Sequence, residues 1–305
     1  MKKYAFTLSI VLAVIVSMVF PQYFIEIGGF PLKKLIIPLL QVIMFGMGAT
    51  MTWDDFANVA KMPKAVVVGL ICQFTIMPSL GFTLANVFDF PPEIAAGIVL
   101  IGCSPSGLAS NVMAFIAKAN VALSITITSC ATLLAPLLTP MLMKLLAGQF
   151  IEVSVWSMMT DIVKMIIAPV VLGLVLNHLL PGFVAKIRKI LPIVSMAGIA
   201  LIIVVITAAG RDSLMAVGAM LILAVLLHNL FGYVLGYFGA RLSGLAEQDC
   251  RTVAIEVGLQ NAGLASGLAL QMGKAATVGL AAALFGPVMN TTGSMLASWW
   301  GKKKA

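Results

Sequence analysis

Charged residues are scarce in this sequence. Of 305 residues only 10% are charged, while 61% are hydrophobic and the mean hydropathy is +1.09. The polar stretches run for only a few residues, which leaves no room for a soluble domain. A membrane-spanning helix needs about 20 apolar residues, so a chain of this length holds roughly ten spans joined by short loops. The composition therefore predicts an all-α polytopic membrane protein.

Other absences exclude whole classes of function. The four cysteines form no Cys-x-x-Cys pair and only two histidines occur, which argues against zinc, copper and redox chemistry. No Gly-x-x-x-x-Gly-Lys-[Ser/Thr] loop is present, which excludes ATP-driven transport by this chain alone. No Ser/His or paired Asp constellation lies at one depth, so we do not expect an enzyme. The net charge of +8 comes from loop-sized basic clusters, which are typical of topology determinants and not of nucleic-acid binding.

Ten hydrophobic runs, bounded by charge, Gly or Pro, are the candidate spans. They lie near residues 4–20, 35–51, 64–88, 93–117, 121–146, 155–179, 191–209, 214–240, 247–270 and 275–299. With ten spans, one side of the membrane receives the basic residues Lys2, Lys3, Lys61, Lys64, Lys118, Lys186, Arg188, Lys189, Arg241, Arg251, Lys302, Lys303 and Lys304. The other side receives Lys33, Lys34, Lys144, Arg211 and Lys274. Because positive residues are retained inside, we expect a multi-pass protein of the cell inner membrane with both termini cytoplasmic.

The sequence repeats itself at an offset of 156 residues. Gly-Leu-Ala-Ser at 107–110 recurs at 263–266, and the same offset pairs the amides Gln73 and Asn229. The offset makes the ninth span equivalent to the fourth. Five spans per repeat is an odd number, so the repeats would insert with opposite orientations, as in alternating-access carriers. Chance recurrence of small residues at helix contacts is the alternative.

Both equivalent spans contain residues that interrupt helices. Ser104-Pro105-Ser106-Gly107 lies within the fourth span, and Gly258 and Gly263 flank Gln260-Asn261 in the ninth. Unwound backbone at membrane depth is tolerated only where protein or a water-filled cavity surrounds it. Freed carbonyls there can coordinate a cation, and half-helix N-termini favour an anion. The sequence predicts two broken helices, although a kink that serves only packing is the alternative for the fourth span alone.

Glu256 lies in the middle of the ninth span, where a carboxylate must be neutralised by a proton, a cation or a partner. Gln260 lies one turn later, and neighbouring spans supply further oxygens from Gln73, Ser110, Asn111, Ser124 and Thr128. Hydroxyls in membrane helices also bond to preceding carbonyls, which is the alternative for each Ser and Thr. An all-oxygen set suits a hard cation, and a single carboxylate does not suit calcium. Na⁺ fits this set first and H⁺ second.

These motifs together resemble the bile acid:sodium symporter family, and more closely the bacterial homologues of the apical sodium-dependent bile acid transporter. The resemblance covers essentially the whole chain. It rests on four motifs: Glu256-x-x-x-Gln260-Asn261, Gly107-x-x-Ser110-Asn111, Ser124-x-x-x-Thr128 and Gln73.

The resemblance implies an architecture and a set of ligands. Residues 1–150 and 151–305 would be inverted five-helix repeats, with a panel domain from spans 1, 2, 6 and 7 and a core domain from spans 3, 4, 5, 8, 9 and 10. Broken spans 4 and 9 would cross. One Na⁺ would bind Ser110, Asn111, Ser124, Thr128 and Glu256. A second would bind Gln73, Glu256, Gln260 and the carbonyls of Val257 and Leu259. The substrate would contact Asn261, the backbone of Ser106, Gly107 and Leu108, and Asn290.

The function that we expect is sodium-coupled symport of bile acids or related organic anions and small carboxylates, with two Na⁺ per substrate and alternating access. A proton-coupled organic acid carrier that uses Glu256 as its protonation site is the main alternative. A passive channel would need a continuous polar pore, whereas the polar residues cluster at one depth. The expected partners are a small organic anion and the lipid bilayer, with no nucleic acid and no obligate protein partner.

Overall fold

Helices make up nearly all of the chain that the computed structural model describes, residues 5–187 and 190–302. Apolar runs in a bilayer favour helices because each backbone N–H and C=O must find its partner within the segment. Six basic residues of the charge comparison lie outside the described residues: Lys2, Lys3, Arg188, Lys189, Lys303 and Lys304. The outer ends of the two expected repeats, residues 1–4 and 303–305, lie outside them as well.

The first half of the described chain contains eight helices. They are α1 (Ala5–Val19), α2 (Gln22–Ile25), α3 (Ile36–Thr50), α4 (Trp53–Lys61), α5 (Pro63–Val87), α6 (Pro92–Cys103), α7 (Ala109–Ile116) and α8 (Val121–Ala147). A short hairpin between α2 and α3 departs from the all-α prediction: β1 (Glu26–Ile27) pairs antiparallel with β2 (Phe30–Pro31). Its two-residue turn is Gly28-Gly29, both with positive φ, which is the backbone conformation that tight hairpins require.

The second half also contains eight helices among the described residues. They are α9 (Val155–Ile162), α10 (Ala168–Leu179), α11 (Pro181–Ile187), α12 (Leu191–Ala209), α13 (Arg211–Leu242), α14 (Glu247–Gly258), α15 (Ala262–Gln271) and α16 (Val278–Lys302). A π-helical turn at Val163–Ile167 joins α9 to α10, and a 3-10 turn at Leu32–Leu35 leads into α3. The two joined segments each form one continuous apolar helix.

Five helical segments in the described chain are long and apolar enough to cross a membrane. They are Leu32–Thr50, Pro63–Val87, Val121–Ala147, Val155–Leu179 and Arg211–Leu242. The fourth and ninth predicted spans are each divided into two short helices, so neither presents one long apolar segment. The seventh contains a shorter apolar helix, Ile193–Ala209. The protein is thus a polytopic helical protein, while the total of ten spans stays a prediction.

The helices that surround the two breaks pack against one another. Helix α13 packs on α14, α5 and α16, while α6 packs on α5 and α16, and α8 packs on α5, α6 and α14. A second group forms around α3, which packs on α10 and α12, and α12 contacts α1. The breaks therefore lie within the first group of helices, and most of their residues are fully buried by protein.

The backbones of α3 and α10 come into direct contact through two glycines. A Cβ atom on Gly48 would overlap the carbonyl of Val170, and one on Gly173 would overlap the carbonyl of Phe45. Lipid tails are as apolar as leucine, so helices in a membrane gain most from close packing of this kind. The two glycines therefore set the distance between the helices.

We expect Gly48→Val to destabilise the protein by about 1–3 kcal/mol or more, because the atom in the way is a backbone carbonyl that cannot rotate aside. Thermal unfolding of the purified protein measures the effect. The matched control is Gly182→Val, since no atom lies within 4 Å of a Cβ built at Gly182. Equal unfolding temperatures for the two variants would contradict the close approach of α3 and α10.

Candidate functional site at the helix breaks

The two broken helices meet at their breaks. Helix α6 ends at Cys103 before α7 begins at Ala109, and α14 ends at Gly258 before α15 begins at Ala262. The unwound segments pair in antiparallel fashion at Ser106 and Gln260. The N–H of Gly107 donates to the carbonyl of Leu259 at 3.0 Å, and the N–H of Asn261 donates to the carbonyl of Pro105 at 2.8 Å. Both spans are broken where the sequence predicts, and each break satisfies part of the other's backbone.

Glycine and proline explain why the chain unwinds at the first break. Pro105 has no N–H to continue the helix. A Cβ at Gly107 would lie 2.9 Å from the carbonyl oxygen of Gln260, so only glycine lets the two segments approach. At the second break, the side chain of Asn261 accepts a hydrogen bond from the N–H of Leu264 at 2.9 Å and caps α15.

Two amide side chains bind the carbonyls that the breaks set free. Gln73 on α5 donates to the carbonyl of Ser104 at 3.0 Å, and Asn229 on α13 donates to that of Gly258 at 2.8 Å. These amides are the pair that the 156-residue offset aligns. Each serves the half-helix next to it, so the internal similarity of the sequence corresponds to a shared structural role.

Glu256 lies in the last turn of α14 and is completely buried. Its carboxylate accepts hydrogen bonds from Ser106 at 2.6 Å, from Thr128 at 2.7 Å and from Ser124. Among the described residues no Lys, Arg or His forms an ion pair with it. Neutral hydroxyls recover only part of the cost of burying an ionised carboxylate. The buried carboxylate therefore needs a further positive charge, from a bound cation or from a proton.

The first predicted set of sodium ligands comes together in the structure. Helix α8 presents Ser124 and Thr128 one turn apart on the face toward Glu256. The side-chain oxygen of Asn111 lies 2.9 Å from the hydroxyl oxygen of Ser124, and the hydroxyls of Ser110 and Thr128 are 3.2 Å apart. The residues present thus offer oxygen ligands and one formal charge, which suits a hard monovalent cation.

The second predicted set forms a neighbouring group. Gln73 donates to the side-chain oxygen of Gln260 at 2.9 Å, and Gln260 donates to the carbonyl of Val257 at 2.6 Å. The carbonyl of Leu259 already accepts the N–H of Gly107. The side-chain oxygen of Gln73 is buried without a hydrogen-bond partner in the described structure. A buried acceptor without a partner is costly, and a cation at this position would satisfy it.

The residues expected to contact substrate are less closely grouped. Ser106, Gly107 and Asn261 lie at the crossing, the place where the unwound segments 104–108 and 259–261 pair, and the half-buried Leu108 directly precedes α7. Asn290 is half-buried on α16 and donates to the carbonyl of Gly286 on its own helix at 2.8 Å. Its hydrogen bond does not reach the crossing.

The role of the Ser106 side chain could not be expected from the sequence pattern. Ser106 is predicted to contribute backbone to a substrate site, whereas its hydroxyl donates to Glu256. Asn229 has no predicted function either, although the offset pairs it with Gln73. Thr292 on α16 donates to the oxygen of Asn229 at 2.5 Å, so this amide also links α16 to the break.

Comparison with known proteins bears on what this site does. The model of the Sodium Bile acid symporter family matches residues 37–217. The chain is 38% identical over 298 residues to the Uncharacterized sodium-dependent transporter YocS of Bacillus subtilis (strain 168), which covers 98% of this chain and 91% of that protein.

Two eukaryotic proteins are also similar. The chain is 32% identical to the Probable sodium/metabolite cotransporter BASS1, chloroplastic, of Arabidopsis thaliana. The match covers 86% of this chain and 65% of that protein, which is slightly less than two thirds of its length. The chain is 34% identical to the Ileal sodium/bile acid cotransporter of Homo sapiens, and the match covers 77% of this chain and 68% of that protein. All three relatives are named as transporters or cotransporters, not as enzymes.

We expect Thr128→Val to lower the free energy of unfolding by about 1.5–3 kcal/mol in sodium-free buffer, because it removes a hydroxyl donor from a buried carboxylate. Thr132→Val is the matched control, since within the described part of the chain that buried hydroxyl bonds to a carbonyl of its own helix at 2.7 Å and to no other group. Thermal unfolding of both variants measures the difference. Equal losses in the two variants would show that Glu256 gains nothing from Thr128.

Proposed function

The chain belongs to the Sodium Bile acid symporter family, a family of sodium-dependent transporters, and on that premise we propose that it is a sodium-coupled symporter of bile acids or related organic anions. The observation that carries the proposal is the fully buried carboxylate of Glu256, which is surrounded by hydroxyls and has no cationic partner among the described residues. Family membership gives the proton-coupled alternative no support.

The proposed coupling uses two sodium ions. Ser110, Asn111, Ser124, Thr128 and Glu256 would bind the first, since their oxygens already converge. The second would bind near Gln73 and Gln260, with Glu256 and the carbonyls of Val257 and Leu259. The unpartnered oxygen of Gln73 supports the second position. The two carbonyls would have to share their lone pairs with the hydrogen bonds that they already accept.

A charge count links the ions to an anionic substrate. Two sodium ions beside one Glu256 leave a net charge of +1. The N-termini of α7 and α15 lie at the crossing and add partial positive charge, which favours a carboxylate or another anion nearby. Asn261, the backbone of Ser106–Leu108 and Asn290 are the proposed contacts. The substrate class that fits is an organic anion, from a bile acid to a smaller carboxylate.

The mechanism follows from the shared geometry of these sites. The residues of the crossing hold the sodium ligands and the half-helix N-termini on the same short backbone segments. Occupation of the sodium sites would therefore fix the backbone that the anion contacts. Binding of the anion would in turn strengthen the binding of sodium, because the coupling of two binding equilibria is reciprocal. Movement of a core domain against a panel domain would then expose the site alternately to each side.

The proposed topology has ten spans in two inverted repeats, residues 1–150 and 151–305. Helix bounds support it: adding 156 to those of α6 and α8 gives 248–259 and 277–303, against α14 at Glu247–Gly258 and α16 at Val278–Lys302. The panel would contain α1, α3, α9–α10 and α12, and the core would contain α5–α8 and α13–α16. The basic residues favour the inner membrane with both termini in the cytoplasm.

We expect Glu256→Gln to abolish sodium-dependent uptake, because it removes the only formal charge at the site while keeping the side-chain shape. Uptake of taurocholate and a panel of small carboxylates into proteoliposomes, with Na⁺ or K⁺ outside at equal ionic strength, measures it. Glu26→Gln, at an exposed carboxylate of the hairpin, is the control and should transport normally. Sodium-dependent uptake by the Glu256→Gln protein at the wild-type rate would refute the proposal.

A further inference from the structure

The polar contacts of Glu256 continue along the line where α8 packs on α14. Three residues of α8 and its N-cap are spaced four apart, and three residues of α14 are spaced three and four apart. They are Asn120, Ser124 and Thr128 on one side and Asp249, Thr252 and Glu256 on the other. These spacings place each set on one face of its helix. The proposed sodium site is thus one end of a longer polar contact between two helices.

Asn120 forms the other end of this contact through its side chain and its backbone. Its side-chain amide donates to Asp249 at 2.8 Å, and its side-chain oxygen accepts from the N–H of Leu123 at 3.1 Å, which caps α8. Its backbone N–H donates to the hydroxyl of Thr252 at 2.9 Å. That hydroxyl also lies 3.1 Å from the carbonyl of Asn120. The start of α8 is therefore attached to α14 at two positions, one turn and two turns before Glu256.

The internal repeat contains a second contact of the same kind. The offset of 156 residues aligns Asp249 with Glu93 at the start of α6. Glu93 accepts hydrogen bonds from Lys274 and from Thr277 at 2.5 Å, which lie in the turn between α15 and α16. Helix α6 packs on α16, as α14 packs on α8. Each half-helix is thus attached through a carboxylate to the turn of the other repeat.

The two contacts differ in the residues that come next along the helices. The positions equivalent to Ser124, Thr128 and Glu256 are all leucines: Leu280, Leu284 and Leu100. Leu100 and Leu280 are fully buried, and Leu284 packs against the same core. The Asp249 contact is therefore followed, along its two helices, by the residues of the proposed ion site. The Glu93 contact is followed by leucines. The Glu93 contact is a natural control for the Asp249 contact.

We propose that Asn120 and Asp249 are positioning residues for the sodium site, and that they hold the axial register of Glu256 against Ser124 and Thr128. This inference rests on the proposed sodium-coupled function. A helix advances about 1.5 Å per residue, so a small axial slip of α14 would move the carboxylate out of reach of the hydroxyls. Groups that hydrogen-bond to the direct ligands of a metal ion change its affinity by about 10–100-fold when they are altered, and we expect the lower end of this range for Asn120 and Asp249, which act through the helix register.

The test is a sodium titration of the purified full chain, with K⁺ keeping the ionic strength constant and the unfolding temperature as the readout. A ligand that binds the folded state raises this temperature with its concentration, so the titration yields the half-saturating sodium concentration. We expect Asp249→Ala to raise that concentration about tenfold. Asp249→Asn keeps an acceptor for Asn120 and should behave like the wild type. Glu93→Ala should lower the unfolding temperature at every sodium concentration and leave the half-saturating concentration unchanged.

A second variant pair covers the case in which Asp249→Ala does not fold. Asn120→Asp keeps the cap of α8 but places two carboxylates together, and we expect it to raise the half-saturating sodium concentration. Adding Asp249→Asn exchanges donor and acceptor across the same contact and should restore the wild-type value. No shift in Asn120→Asp, or no restoration in the double variant, would overturn the positioning role.

Glu256→Ala distinguishes failure of this inference from failure of the proposed function. If this variant keeps the wild-type sodium response, sodium does not bind at Glu256 and both proposals fail. If it loses the response while Asp249→Ala keeps the wild-type half-saturating concentration, only the positioning role is refuted.

Discussion

The structure depends on one electrostatic constraint: the carboxylate of Glu256 is completely buried. No Lys, Arg or His side chain in the described chain pairs with it. Glu256 is surrounded by hydroxyls from α8 and from the break after α6, and these groups orient the carboxylate without cancelling its charge. In the proposed function a transported cation supplies this balance, which would make the folded geometry sensitive to sodium. That sensitivity is what a coupled carrier needs, because an ion can drive a conformational equilibrium only through different affinities for the two states.

The two breaks make this arrangement possible. An intact helix would occupy every backbone group internally, whereas the unwound segments bond to each other and to Gln73 and Asn229. The internal similarity of the chain explains the paired amides and the paired carboxylate contacts at the helix starts. It does not extend to the proposed ion site, because leucines occupy the equivalent positions Leu100, Leu280 and Leu284. One of the two similar contacts thus continues to the buried carboxylate of Glu256, and the other continues to apolar side chains.

Much of this site could be predicted because membrane burial makes polar residues informative. Glu256, the two breaks and the hydroxyl pair Ser124 and Thr128 all stand out against an apolar background. The hydroxyl of Ser106 was missed because its direction is set by irregular backbone, for which no periodic rule exists. The hairpin at Gly28-Gly29 was passed over although its turn residues are typical. The contact between Asn120 and Asp249 joins residues 129 positions apart. Asn120 lies between two predicted spans and Asp249 lies in the polar first turn of the ninth, where a polar residue does not stand out.

The most direct test is the number of sodium ions that bind to the purified wild-type chain, measured with radioactive sodium at equilibrium in a constant K⁺ background. The oxygens beside Glu256 and the unpartnered oxygen of Gln73 are the two proposed sodium positions, so we predict saturable binding that reaches two ions per chain. Absence of saturable binding would contradict the central claim that sodium balances the buried carboxylate.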